Sequence, residues 1–161
     1  MVLEVWGLIA HNRIIERIHL LAIKRLLNVS PKTPSSLVYG ETGRYPLYIC
    51  TYTRCIKYRL NILRMQEDRI PLKSYKMLQV HCNNKNNPAS SVCFALYRYG
   101  YGHVWENQSV CNIRAFLCEF KQRLTDCYLQ GWNSDINSKD RYAVFLFSPH
   151  LNKHMDCLNI C

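Results

Sequence analysis

Pro46-Leu47-Tyr48-Ile49-Cys50-Thr51-Tyr52-Thr53-Arg54-Cys55-Ile56-Lys57-Tyr58-Arg59-Leu60-Asn61-Ile62-Leu63-Arg64 carries two periodic patterns at once. Ile49, Tyr52, Ile56, Leu60 and Leu63 recur at steps of three and four, the spacing that brings side chains onto one side of an α-helix. Arg54, Lys57, Asn61 and Arg64 recur in the same way along roughly the opposite side. The stretch predicts a helix near 46–66 with one face for a core and a cationic stripe on the other.

The same grammar extends in both directions. Ile70-Pro71 repeats the start signal of Pro46 and predicts a helix over 71–81. Upstream, Asn12 to Asn28 is amphipathic, with Ile14, Ile18 and Leu21 at helical spacing, and should stop by Ser30 because Pro31 follows. Thr33-Pro34 reads as an N-cap with proline at the first helical position, opening a short helix to about Glu41 before the Gly40/Gly43 turn. Downstream, Asn83 to Pro88 is a polar loop, and Ser90 to Tyr99 forms a short helix closed by Gly100 or Gly102. Ile113, Leu117, Phe120, Leu124, Cys127 and Gly131 alternate steps of four and three, too briefly for a coiled coil but well suited to an antiparallel bundle contact. The fold class expected is mainly α: an irregular helical bundle of about six helices with little or no sheet. A single helical domain over 1–147, with a hinge loop at 83–89 and a C-terminal tail over 148–161, is the expected organisation.

At 161 residues with 48% hydrophobic and 20% charged side chains, the chain can bury one sizeable core. Its formal charge of +10 favours polyanionic partners. The excess is local: Arg13 to Lys76 holds 13 Lys/Arg against 4 Asp/Glu, whereas the remainder is nearly neutral. Tyr45, Tyr48, Tyr52, Tyr58 and Tyr75 lie in the same region as candidate base-stacking groups; the plainer alternative is a solvated basic face above core tyrosines. Arg98 to Trp105 loosely matches the aromatic-glycine strand of an RNA recognition motif, although a helix end followed by a glycine turn explains the same letters. The nine cysteines are odd in number and contain no Cys-x-x-Cys, which argues against a secreted disulfide framework. With no membrane-length apolar run and no basic secretion leader, the expected location is intracellular, nuclear or cytoplasmic, with no membrane partner.

Catalytic signatures are missing from the letters. There is no adjacent Asp-Asp pair, phosphate-binding glycine loop or Gly-x-Ser-x-Gly elbow, so no enzyme activity, catalytic residue or cofactor is expected. His150, His154, Cys157 and Cys161 have zinc-ligand chemistry, but on one helix they would form a stripe about 16 Å long, too extended for one ion. No metal site is assigned.

Several segments taken together resemble a family. Glu4-Val5-Trp6-Gly7, Lys24 to Ser30, Thr33-Pro34, Val38-Tyr39-Gly40-Glu41-Thr42-Gly43-Arg44-Tyr45-Pro46-Leu47-Tyr48, Arg69-Ile70-Pro71, Tyr75 to Leu78, Tyr99 to Gln108 and Phe120 to Leu124 occur in an order similar to the region following the reverse transcriptase domain of invertebrate non-LTR retrotransposon polyproteins. The resemblance covers roughly residues 2–147. It implies a detached C-terminal fragment of a mobile element, without the endonuclease and polymerase carboxylates that lie upstream in such polyproteins. It also implies the upstream reverse transcriptase domain as a partner.

These readings converge on a non-catalytic module that holds RNA or DNA backbone through Arg44, Arg54, Lys57, Arg64, Arg69, Lys73 and Lys76. The alternative is a helical protein-interaction or structural module, or an inert mobile-element fragment. In that reading Ile14/Ile18/Leu21 or Phe116/Phe120/Leu124 face a partner helix and the basic charge serves only solubility. Under the first reading the Ile/Leu faces pack against the polymerase in an intact element, so self-association is expected of an isolated fragment that exposes them.

Overall fold

A computed structural model describes residues 12–81 and 87–137. Among these residues the fold is mainly α, with seven helices and no strand: α1 (Asn12–Leu26), α2 (Ser35–Thr42), α3 (Leu47–Leu63), α4 (Ile70–Val80), α5 (Pro88–Arg98), α6 (Gly102–Asn107) and α7 (Ile113–Asn137). The Glu4–Gly7 segment and the His150/His154/Cys157/Cys161 set lie outside the described residues.

Three helices end by the same device. Val29 N–H donates to Lys24 O at 3.0 Å and Asn28 N–H to Arg25 O at 3.1 Å, with Asn28 at φ 52°. Arg44 N–H to Tyr39 O and Gly43 N–H to Gly40 O, each 3.2 Å, close α2 around Gly43. Tyr101 N–H to Leu96 O at 2.8 Å and Gly100 N–H to Tyr97 O at 3.2 Å close α5. Each pair satisfies carbonyls that the last helical turn leaves open, and each needs one left-handed residue. Of the two glycines expected to stop α5, Gly100 does so, at φ 89°. Thr33 does not cap α2: Pro34 holds that position and makes no side-chain cap bond.

Two compact units divide the chain. One is built around Leu47–Leu124; the other combines Ile14–Pro46 with the described residues from Thr125 onward. None of the boundaries between them falls in the loop at 83–89. Residues 82–86 of that loop lie outside the description, but Asn87 is a buried clamp. Its Nδ2 donates to Leu78 O at 2.5 Å and His81 O at 3.0 Å, while its Oδ1 accepts from Ala89 N–H at 2.8 Å. The end of α4 and the start of α5 are thereby tied through one side chain, and α5 begins at Pro88, two residues earlier than expected.

In the Leu47–Leu124 unit α3 packs on α4 and α5, and α5 on α4 and α6. Ile62, Leu72, Tyr75 and Ala89 form a buried cluster, with Tyr58, Leu63 and Trp105 against it. Aromatic rings extend this core: Tyr99 meets Phe120 edge-on at 6.0 Å, and Tyr101 meets Phe116 at 5.4 Å. Burying a side chain such as Ile56 or Leu96 contributes about 1.5–3 kcal/mol.

In the other unit Ile23, Val38 and Tyr39 are buried, with Leu20 and Tyr128 packed against them. The Tyr39 hydroxyl donates to Glu16 Oε1, and Trp132 Nε1 donates to Ser36 O at 2.8 Å. Along α7 the inward row is Phe116, Phe120, Leu124, Tyr128, Trp132 and Ile136, a run of four-residue steps. Gly131, expected on the core stripe, is exposed instead. Alternation of fours and threes keeps a stripe straight, whereas uniform fours drift around the helix by about 40° per step.

Candidate nucleic-acid interface

α3 carries the two faces expected of it. Ile49, Ile56 and Leu60 are buried, with Tyr52 and Leu63 partly so, while Arg54, Lys57, Asn61 and Arg64 are exposed. Arg54 and Lys57 lie on the helix, and Arg64 stands in the turn just beyond it. At 1.5 Å per residue the helix rises about 14 Å from Arg54 to its end at Leu63, where Arg64 follows. Arg69 is the N-cap of α4, and Lys73 and Lys76 sit on its exposed side.

Arg44 is exposed as well, in the turn that follows α2. It belongs to the other unit, so six of the seven candidate cations share a unit and Arg44 does not. Lys76 Nζ lies 3.2 Å from Glu67 Oε1, with side-chain exposures of 56% and 90%; so open a pair is worth little and exchanges readily with another anion. Among the described residues Arg54, Lys57, Arg64, Arg69 and Lys73 have no ion-pair partner.

The tyrosines require a correction. Tyr75 is buried and Tyr58 packs on the core cluster. Tyr48 and Tyr52 rings meet at 5.9 Å, Tyr52 also meets Tyr99, and Tyr45 meets Tyr128. The rings close to the cationic stretch in sequence are used in packing, because an aromatic every three or four residues beside aliphatic neighbours lands on the buried side of a helix. Exposed rings occur instead at Phe94 and Tyr97.

Sequence reasoning also missed Arg59, which is 2% exposed. Its Nε donates to Tyr75 Oη at 2.8 Å and its Nη2 to Gln108 Oε1 at 2.8 Å and Val104 O at 3.5 Å. The guanidinium also stacks 4.9 Å from the Trp105 ring centre, a favourable cation–π distance. All of these partners are neutral, and Nη1 has none among the described residues. The signal was in the register: Cys55, Arg59 and Ile62 step by four and three, and the flanking two are buried.

The Arg98–Trp105 segment is a helix end, a glycine turn and the start of α6, not an RNA-binding strand. Tyr97 donates to Glu106 Oε1 at 2.8 Å and Tyr101 to Glu119 Oε1 at 3.0 Å. The bond to Glu106 raises the Tyr97 pKa. Burial, then the Glu119 bond, pushes Tyr101 up to about 12.

Phe116, Phe120 and Leu124 are buried in their own core and so are not presented to a partner. Ile14 and Ile18, at 57% and 62%, are exposed. Among the described residues no group of three or more His, Cys, Asp or Glu could hold a metal ion, and no helix is long and apolar enough to cross a membrane. No protein-family model, curated protein or solved structure matches the chain.

Proposed function

We propose that the chain is a non-catalytic module that holds the phosphate backbone of RNA or DNA, derived from the region following the reverse transcriptase domain of a non-LTR retrotransposon. The observation that carries this reading is the exposed, unpaired row Arg54, Lys57 and Arg64 opposite the buried Ile49, Ile56 and Leu60. Lysine and arginine on a helix face gain polyanion affinity by releasing counterions, so contact would be sequence-independent and salt-sensitive. With Tyr75 buried and Tyr45, Tyr48, Tyr52 and Tyr58 half-buried in ring or core contacts, base stacking adds little to it. Arg69 and Lys73 extend the positive surface of the same unit.

The test is fluorescence anisotropy with single-stranded RNA, single-stranded DNA and duplex DNA across a salt series. Five phosphate contacts would give a duplex slope of log affinity against log salt of roughly −4.5, and the triple variant Arg54→Glu, Lys57→Glu, Arg64→Glu would flatten it by about 3. Unchanged affinity and slope in a folded triple variant would overturn the reading.

The exposure of Ile14 and Ile18 favours a second one, a helical protein-interaction module. It expects no measurable nucleic-acid binding in the same assay, together with a partner or self-association lost in Ile18→Glu.

A further inference from the structure

Between α3, α4 and α5 the Leu47–Leu124 unit contains a cavity of about 170 Å³. An apolar cavity of roughly 150 Å³ is large enough to take up benzene. Cys55, Ile62, Ala89 and Val92 give this one an apolar floor, and Arg59, Tyr58 and Tyr75 also belong to its lining. Pro71, Ser74 and Leu78, all exposed, mark its open side.

Two features of this place are unbalanced on their own. An apolar hollow open on one side leaves its lining side chains against water rather than against one another. Arg59 holds a full positive charge at 2% exposure with only neutral partners and one unpartnered nitrogen among the described residues. A charge withdrawn from water without a counter-charge is costly, and an anion brought close to it is attracted far more strongly than in bulk solvent. A single occupant with an apolar body and one negative group answers both. The size sets the scale at one ring or a short alkyl chain, which is too small for a nucleotide.

We infer that this cavity is a binding site for a small amphipathic carboxylate, its ring or chain seated among Cys55, Ile62, Ala89 and Val92 and its acid group balancing Arg59. Ser74 and Tyr58, on the wall, supply hydroxyl donors for the acid oxygens. The site is independent of nucleic-acid binding, since none of Arg54, Lys57 and Arg64 lines it.

The experiment is a titration of the ¹⁵N-labelled full chain with phenylacetate and, separately, phenylacetamide at constant ionic strength, followed by amide chemical shifts. Saturable shifts centred on Cys55, Ser74, Ala89 and Val92 are expected, with the acid binding roughly tenfold more tightly than the amide, a preference of about 1.4 kcal/mol. Ser74→Trp, at the exposed edge, should block both compounds while the rest of the spectrum stays native. Arg59→Met should keep amide binding and lose the preference for the acid. Equal affinity for acid and amide, shifts scattered over surface lysines and arginines, or binding that survives Ser74→Trp would each overturn the proposal. If Arg59→Met does not fold, the acid–amide pair and Ser74→Trp decide it.

Discussion

Arg59 Nε donates to the Tyr75 hydroxyl oxygen across 2.8 Å inside the core, linking α3 to α4. Because both groups are buried, removing the acceptor strands a charged donor. Tyr75→Phe is therefore expected to lower unfolding stability by about 1.5–3 kcal/mol, the range for hydrogen bonds to charged groups. Arg59→Ala should cost more, since it opens a cavity and also abandons Gln108 Oε1, whereas Arg59→Met removes an uncompensated charge together with its bonds and should cost less than Arg59→Ala. Urea unfolding of the three variants gives the order.

Asn87 offers a second check on the core. Its side chain accepts from Ala89 N–H and donates to two carbonyls at the end of α4. Loss of an N-cap alone costs about 0.5–2 kcal/mol, and Asn87→Ala should exceed the upper end because Leu78 O and His81 O lose their donor as well. Asn87→Asp should keep the cap and lose the two donated bonds, and so fall between wild type and Asn87→Ala in thermal melts.

The two glycines at Gly100 and Gly131 should respond to alanine with opposite signs. Space is open around both, so sterics with neighbours do not enter. Gly100 sits at φ 89° in the turn that closes α5, where a Cβ costs roughly 1–2 kcal/mol. Gly131 lies within α7 on an exposed face, and Gly131→Ala should stabilise by about 0.5–1 kcal/mol. Equal shifts in midpoint for the two variants would contradict this account.

Tyr101 predicts an alkaline limit. Its pKa is pushed from the ordinary 10.0 to about 12 by burial and by its bond to Glu119. Between those values the unfolded chain has lost the proton and the folded chain keeps it, so stability falls as pH rises. The contribution is complete below pH 10 and is lost progressively toward pH 12. Tyr101→Phe should flatten that part of a stability–pH profile measured by urea unfolding.

Helix content, most helix starts and the solvent-facing position of the cationic residues are properties of local order in the chain. Spacings of three and four, prolines at first turns, and glycine or asparagine at stops act over a few residues, so Leu47–Leu63 could be read with both of its faces before any neighbour was known. The split into two units, the fours-only row along α7 and the inward use of the tyrosines were set by tertiary packing. Arg59 shows why: basic chemistry suggests solvent, while its register beside Cys55 and Ile62 points inward. The conflict is resolved only by partners distant in sequence, Tyr75, Val104 and Gln108, whose hydrogen bonds make burial of the charge tolerable. The cavity beside it has the same origin, since a void is the space that several helices fail to fill together.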